Sequence, residues 1–291
     1  MLGSILGGTA LAGTRFAVGS LDPLFVANVR YAIGALLLLP FALRALHVFA
    51  DKRDAFATLG LSVLFFAIYP YTFALALKYT TAVRGSLALS SMPLLTLAFA
   101  IAIGREAFHW RRVIGMLIAV GGLAFALSPN IGPAAPMAWL GDLIMVSAAA
   151  MQSVYNVLSK PYIQRIGPLP FTALGMTVGT LFLSGACVLS GSVNDVADIA
   201  TSGWIALAYL GIFGGAFLWV LWSIGLRYAR PSLVALTNTV NTLTASFLGA
   251  VFLGEPLGLE FVVGLVCVLS GIAIATNLVP SRLDPFPRKD P

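Results

Sequence analysis

The chain has 291 residues, of which 59% are hydrophobic and 10% are charged, and it carries a formal net charge of +6. Soluble globular domains have about 25% charged residues, so this composition excludes a water-exposed surface and predicts an integral membrane protein in contact with the lipid bilayer. The basic residues lie between apolar runs, where they act as topology signals, so the positive charge does not indicate binding to nucleic acid.

Ten apolar runs divide the chain. A transmembrane helix needs roughly 20 apolar residues, and proline, glycine and charged residues separate the runs. We therefore predict an all-α protein with ten transmembrane helices, at residues 2–19, 24–46, 55–77, 82–104, 110–128, 137–160, 169–191, 203–226, 231–253 and 258–279. Most of the loops are too short for a folded domain, which places the activity within the bilayer.

Part of the first half of the chain recurs in the second half. Residues 77–124 align without a gap with residues 226–273, and the alignment pairs identical residues at Tyr79, Glu106 and Gly115. Such self-similarity indicates a duplicated unit. Each copy has the same order: a basic-aromatic pair, an apolar helix, an acidic residue and a second apolar helix.

Duplication of a five-helix unit has a geometric consequence. Because each unit has an odd number of helices, the second unit lies upside down relative to the first. Inverted repeats place a binding site near the bilayer midplane and favour alternating access. We predict two inverted five-helix repeats and a disordered cytoplasmic tail, at residues 1–131, 132–279 and 280–291.

The distribution of Lys and Arg predicts the orientation. With a cytoplasmic N-terminus, the loops and tail on that side hold Arg44, Lys52, Arg53, Arg105, Arg111, Arg112, Lys160, Arg165, Arg227, Arg230, Arg282, Arg288 and Lys289. The opposite loops hold Lys78 and Arg84, while Arg15 and Arg30 lie within the first and second segments. This asymmetry predicts that both termini face the cytoplasm.

The chain lacks the residue patterns of catalytic sites. His47 and His109 are far apart, no Cys and His spacing fits a metal, and we expect no catalytic residue, metal or cofactor. All eleven Asp and Glu residues fall at helix ends, in loops or in the tail, with Asp142 about one turn into its helix. A proton-coupled carrier usually needs an ionisable group at depth, so we expect uncoupled, facilitated transport.

Two segments carry polar side chains at helical spacing. On the sixth segment these are Gln152, Tyr155, Asn156 and Ser159, and on the ninth they are Asn238, Asn241 and Thr242. Polar stripes in lipid must face protein or water. They either line a cavity or form hydrogen bonds between helices, and we favour the cavity.

Arg15 and a set of aromatic residues are further candidates for the cavity. Arg15, near the centre of the first segment, either attracts a substrate carboxylate or extends to the interface. Trp219 and Trp222 belong either to the interfacial belt or to an aromatic pocket. Tyr71 and the basic-aromatic pair at residues 78–79, Lys78 and Tyr79, complete this set.

Two prolines interrupt the third and fourth segments. Pro70 and Pro93 free backbone carbonyls and allow helices to bend, so we expect them to act as hinges. Ser86 and Ser90 share a helix face with Pro93. That face fronts the cavity or packs against another helix.

Several short motifs resemble the drug/metabolite transporter superfamily in its EamA-type, ten-helix branch. They are ALKYTTA at 76–82, MPL at 92–94, GRE at 104–106, GLRYA at 225–229 and GE at 254–255. Within that branch the chain is most similar to bacterial exporters of aromatic amino acids, which implies an inner-membrane carrier. The family often has an acidic residue and a proline where this chain has Asn241-Thr242, which does not favour proton coupling.

The resemblance and the residues together give one expectation and several alternatives. We expect export of small amphipathic metabolites, above all aromatic amino acids, by a monomer or weak dimer using alternating access. A multidrug exporter, an exporter of other amino acids, a flippase for lipid-linked sugars, a channel-like pore and an intramembrane enzyme are the alternatives.

Overall fold

The computed structural model describes residues 2–46, 48, 52–128, 136–192, 199–241, 243 and 259–277, and all regular structure in them is helical. The predicted tail at 280–291, Glu255, Thr242 and most of the second half of the ninth segment lie outside these residues.

Ten helical stretches follow one another in the described part of the chain. They are α1 (Leu2–Ala17), α2 (Pro23–Arg44), α3 (52–79), α4 (82–102), α5 (Trp110–Leu127), α6 (Ala138–Ile166), α7 (Pro168–Ser190), α8 (Thr201–Tyr228), α9 (from Pro231 to 241) and α10 (Leu259–Asn277). Five of them, α2, α3, α4, α7 and α8, contain stretches long and apolar enough to cross a membrane. This agrees with the predicted all-helical membrane protein.

The end of α6 differs from the prediction. We placed the end of the sixth segment at Lys160, but the helix continues through Pro161 to Ile166 and ends at Gly167, whose φ is 101°. A proline inside a helix removes one backbone hydrogen bond, and membrane helices tolerate this loss when neighbouring helices compensate. Next to this proline, the Lys160 ammonium donates to the Ala229 carbonyl at 2.7 Å, which ties α6 to the end of α8.

Both α3 and α8 contain a π-helical segment at mid-length. In α3 it spans Leu64–Ile68, where the Tyr69 N–H donates to the Leu64 carbonyl. Pro70 lies two residues after this segment and has no N–H to donate, which favours the wider turn of a π-helix just before it. In α8 the π segment spans Leu210–Phe217 and contains two successive glycines instead of a proline.

Helix α4 is interrupted at Ser90 and Ser91. The Ser90 hydroxyl donates to the Ser86 carbonyl at 2.7 Å, which gives this carbonyl a side-chain partner at the break. The second part of α4, Met92–Ala102, begins with Pro93 in its first turn, where a missing N–H costs no helical bond. Pro93 thus starts a helix after a break instead of bending a continuous one.

Helices α5 and α10 pack against each other along their glycines. A Cβ atom added to Gly115 would lie 2.6 Å from the Gly271 carbonyl oxygen, and one added to Gly264 would lie 2.6 Å from the Gly122 carbonyl oxygen. Glycines allow backbones to approach closely where lipid provides no hydrophobic driving force. Because the residue numbers run in opposite directions along the contact, the two helices are antiparallel.

The largest core of the described residues joins α2, α3, α6, α7 and α8. The π segments of α3 and α8, halfway along both helices, contribute Phe65, Phe66 and Leu210 to this core. Helix α2 reaches α8 there because Gly211 and Gly34 leave room for the opposing backbone. The buried aromatic and polar side chains that could contact a ligand are found at this level.

Candidate functional site

Five aromatic side chains from four helices form the aromatic cluster: Tyr31, Phe65, Tyr69, Tyr155 and Trp219. The Phe65 ring stacks on Tyr155 with centroids 3.9 Å apart and on Tyr69 at 4.9 Å, and the Trp219 indole meets it edge-on at 4.7 Å. The Trp219 Nε1 donates to the Tyr31 hydroxyl at 2.9 Å. All five side chains are buried, so the cluster joins helices of both halves.

An amide extends the aromatic cluster along α6 and α8. The Trp222 Nε1 donates to Asn156 Oδ1 at 2.9 Å, and Asn156 is fully buried. Gln152 is also buried, one turn earlier on α6. The polar stripe of the sixth segment therefore faces protein. Of its members, Tyr155 belongs to the aromatic cluster, and Asn156 is connected to the cluster through Trp222.

Burial distinguishes the two possible roles of the tryptophans. Trp219 and Trp222 are only 5% and 8% exposed, so they lie inside the bundle and not in an interfacial belt. Trp110, Trp139 and Trp204 are 59%, 62% and 39% exposed, as expected for residues at the lipid interface.

A cavity of about 670 Å³ opens between the first part of α3 and the last part of α6. Asp54, Arg105 and Arg165 lie along it and mark what we call the basic end of the molecule. Leu64 also lines it, directly before Phe65, as does Leu158, one turn after Tyr155. The cavity therefore ends about one helical turn from the aromatic cluster.

Arg30 is a residue of this region that the sequence interpretation missed. The side chain is 5% exposed, and its Nη2 donates to the Gly214 carbonyl at 2.6 Å, in the π segment of α8. Its Nη1 donates to Thr14 Oγ1 at 3.2 Å, and its Cζ lies 5.5 Å from the Tyr31 ring centroid. We had counted Arg30 among the residues inside helices without assigning it a role.

The structure places Arg15 differently from our expectation. Arg15 lies in the last turn of α1, so the expectation of a position near a helix centre was wrong, because α1 ends at Ala17. Its Nη1 donates to the Leu77 carbonyl at 2.6 Å, close to the end of α3. It thus satisfies a carbonyl in the last turn of that helix, and its hydrogen bond does not reach the aromatic cluster.

The remaining candidates are divided between the interior and the ends of the bundle. Lys78 is exposed at the end of α3, and Tyr71 and Tyr79 are half-buried. Ser90 is buried at the break in α4, and Pro70 and Pro93 are buried too.

Asn238 and Asn241 on α9 form a pair in the interior. The Asn241 Nδ2 donates to Asn238 Oδ1 at 2.9 Å, and both side chains are buried. Asn241 lies against α1, where a Cβ atom at Gly7 would approach its Nδ2 to 2.3 Å. The two amides therefore join α9 to α1.

Ion pairs tie helices together at both ends of the bundle. At the basic end the buried Glu106 carboxylate accepts from Arg112 Nη1 at 2.8 Å and from the Ser232 hydroxyl at 2.6 Å. At the opposite end Asp142 on α6 accepts from Arg84 and from the Thr80 hydroxyl. Among the described residues, no group of three His, Cys, Asp or Glu side chains is placed to hold a metal ion.

Comparison with known proteins matches the chain to a transporter family. The model of the EamA-like transporter family matches residues 1–128 and, a second time, residues 139–277. The uncharacterized transporter YetK of Bacillus subtilis is 23% identical over 98% of this chain and 88% of its own length. An uncharacterized transporter of Archaeoglobus fulgidus is 25% identical over 93% of this chain and 94% of its own length.

A solved structure extends the likeness to the fold. A crystal structure of a protein with 20% sequence identity matches 95% of this chain and 98% of its own, with a TM-score of 0.72. At this identity the match concerns the fold alone. The arrangement of helices is therefore one that an experimental structure also has.

Proposed function

Because this chain belongs to the EamA-like transporter family, we propose that it exports small aromatic, amphipathic metabolites across the bacterial inner membrane, aromatic amino acids among them. Membership of a transporter family, shared with relatives described as transporters, confirms the prediction of a transporter rather than an enzyme. The observation that carries the substrate proposal is the aromatic cluster, buried at mid-length of α3 and α8. Aromatic side chains with a few polar groups suit a ring-bearing ligand.

The carrier has ten transmembrane helices in two inverted halves. Three observations support this part of the proposal. The family model matches the chain twice. The helix after the π segment spans Tyr69–Tyr79 in the first half and, 149 positions later, Leu218–Tyr228 in the second. The glycine contact pairs α5 with an antiparallel α10, as expected if the last helices of the two halves are related by inversion.

Substrate enters from the basic end, which faces the cytoplasm. The cavity between α3 and α6 leads from Arg105 and Arg165 towards the aromatic cluster. The excess of basic residues in the loops on that side supports a cytoplasmic location for this end and for both termini. Rocking of the halves then opens the opposite end, where Asp142 and Arg84 hold α6 and α4 together.

Transport is uncoupled from protons. The described acids lie at helix ends, where Asp22 caps α2 and Asp54, Glu106 and Asp142 are paired with arginines. None of these lies at the level of the aromatic cluster, where proton-coupled carriers usually hold an ionisable carboxylate. The substrate therefore moves down its own gradient.

Counterflow in proteoliposomes tests the function. We expect vesicles preloaded with unlabelled phenylalanine to accumulate labelled phenylalanine, with no change when a pH step is imposed. Accumulation that follows the pH step would contradict uncoupled transport. Linear, non-saturating flux would indicate a pore, and movement of lipid-linked sugar alone would indicate a flippase.

Replacing Trp219 by leucine tests the role of the aromatic cluster. Leucine keeps an apolar side chain and removes the ring that meets Phe65. Aromatic pairs contribute roughly 0.5–1.5 kcal/mol beyond their buried area, which corresponds to about 2- to 10-fold in affinity. We expect Trp219→Leu to lower the preference for phenylalanine over leucine in counterflow by about this factor.

The matched control is Trp204→Leu, on the same helix but 39% exposed, which should leave the preference unchanged. The comparison uses a ratio of two substrates, so a lower amount of folded protein does not affect it. An unchanged ratio in Trp219→Leu would assign the indole to packing alone.

A further inference from the structure

Arg30 carries its charge to the centre of the bundle. Gly214, whose carbonyl accepts from Arg30 Nη2 at 2.6 Å, lies at the middle of the 28-residue helix Thr201–Tyr228. The guanidinium is therefore about as far from either end of that helix as a side chain can be. An arginine at such depth is costly and is found almost always where it faces protein or a water-filled cavity.

The charge of Arg30 has no counter-ion among the described residues. A guanidinium has five N–H donors, and the two bonds of Arg30 go to a neutral carbonyl and a neutral hydroxyl. Its buried Nε has no hydrogen-bond partner in that part of the chain. The three ion pairs found there involve Arg84, Arg112 and Arg165 instead. An uncompensated buried charge is strongly unfavourable, so an anionic ligand would stabilise it.

The aromatic cluster lies directly beside this charge. The Arg30 Cζ lies 5.5 Å from the Tyr31 ring centroid, and the Tyr31 hydroxyl accepts from Trp219. Trp219 in turn contacts Phe65. If Arg30 held the carboxylate of a ligand, an aromatic ring joined to that carboxylate by a few carbons would lie among these side chains.

An ammonium group has no equivalent partner there. The acids of the described residues occupy the ends of helices, where Asp22 caps α2, Glu260 lies in the first turn of α10 and the other three are paired. A buried ammonium without a carboxylate partner pays a desolvation penalty. In the described part of the chain, the site thus offers a charged partner for a carboxylate and no carboxylate for an ammonium group.

We propose that Arg30 binds the carboxylate of the substrate, and that the preferred substrate class is an aromatic monocarboxylate without an ammonium group. This inference rests on the proposed carrier function and narrows its substrate class. Guanidinium groups bind carboxylates through paired, charge-assisted hydrogen bonds. Arg30 is then the residue that selects the anion, and the aromatic cluster selects the ring.

Four ligands with the same ring test the proposal: 3-phenylpropionate, its amide, phenylalanine and phenethylamine. Their binding to the purified full-length protein is followed by intrinsic tryptophan fluorescence, and counterflow is measured with labelled 3-phenylpropionate and phenylalanine. We expect 3-phenylpropionate to bind at least about tenfold more tightly than its amide and phenethylamine, which lack the carboxylate, because a hydrogen bond to a charged group contributes roughly 1.5–3 kcal/mol. We expect a similar advantage over phenylalanine, because its ammonium group would be desolvated without a carboxylate partner.

Variants then assign the selectivity to one arginine. Arg30→Gln should weaken the binding of 3-phenylpropionate by about tenfold or more and change the affinity for the amide by less than about threefold. The acid would then lose its advantage over the amide. Arg30→Lys keeps the charge and should keep a preference for the acid. Arg15→Gln, which alters an arginine bonded to the end of α3, should also keep it.

The outcomes separate this inference from the proposed function. Phenylalanine or phenethylamine binding as tightly as 3-phenylpropionate to the wild type would overturn the inference and leave an aromatic carrier. A folded Arg30→Gln that still prefers the acid would overturn the role of Arg30. If Arg30→Gln does not fold, the affinities of the four ligands for the wild type and for Arg30→Lys test the inference instead. No binding and no counterflow with any of the four would overturn the proposed function as well.

Discussion

Replacing Glu106 by glutamine should lower the free energy of unfolding by about 3–5 kcal/mol, the usual cost of removing one partner from a buried ion pair. The substitution keeps the size of the side chain but leaves the guanidinium of Arg112 buried and unpaired. Arg112 is 1% exposed, and its Nε and Nη2 have no hydrogen-bond partner among the described residues. Unfolding by sodium dodecyl sulfate in mixed micelles, followed by tryptophan fluorescence, measures the change.

An exposed ion pair at the same end of the molecule provides the control. Asp54 pairs with Arg165 at 2.5 Å, but the Arg165 side chain is 58% exposed. Exposed ion pairs contribute about 0–1 kcal/mol, so Asp54→Asn should change stability by less than about 1 kcal/mol. Equal effects of the two substitutions would show that burial of Glu106 does not determine its contribution. The double variant Glu106→Leu with Arg112→Leu should recover part of the loss, because it leaves no unpaired charge.

The position of Glu106 gives this ion pair a second structural role. Its carboxylate also accepts from the backbone N–H of Ser232 at 3.1 Å, in the first turn of α9. A carboxylate at a helix N-terminus satisfies free N–H groups and interacts favourably with the helix dipole. Glu106 therefore fastens α5 of one half to α9 of the other. The cavity at the same end opens elsewhere, between α3 and α6.

The sequence predicted the elements of this protein better than the directions of its side chains. Apolar runs and breakers placed most helix ends within a few residues, because length and hydropathy determine where a membrane helix can lie. The end of α6 was missed because Pro161 was treated as a break, although Lys160 and the following turn continue the helix.

Arg30 and Arg15 illustrate what sequence patterns cannot resolve. Both lie inside predicted helices. Only the packed structure shows that Arg15 bonds to the end of α3, whereas Arg30 bonds to the middle of α8. A useful signal was nevertheless present. The face of α8 that contacts Arg30 has glycines at 211, 214 and 215. Several glycines on one face of an apolar helix indicate that another helix approaches closely there.

Aromatic residues gave a partial prediction. Tyr155, Trp219 and Trp222 were singled out as candidates, but Tyr31 and Phe65 were not, because an aromatic residue in an apolar run carries no sign of which neighbour it will face. The cluster depends on contacts between residues up to 188 positions apart in the chain. Only the packing of the helices brings these residues together.

Neighbouring glycines on α5 give the sharpest test of the contact between α5 and α10. A Cβ atom at Gly122 would lie 2.3 Å from the Cys267 Cβ, whereas one at Gly121 would meet no atom within 4 Å. Alanine is favoured over glycine in a helix by about 1 kcal/mol, so Gly121→Ala should be neutral or stabilising. Gly122→Ala must separate the two backbones, and we expect a loss of about 1–3 kcal/mol from overpacking.

Both variants add the same methyl group to adjacent residues of one helix, so the difference between them isolates the contact with α10. Unfolding in mixed micelles measures that difference directly. The proposed inversion of the halves adds a second expectation, because it would make the contact of Gly115 with Gly271 the counterpart of the contact between Gly264 and Gly122. Gly271→Ala should then cost about as much as Gly122→Ala. A Gly122→Ala protein as stable as Gly121→Ala would mean that α5 and α10 are not held together at their glycines.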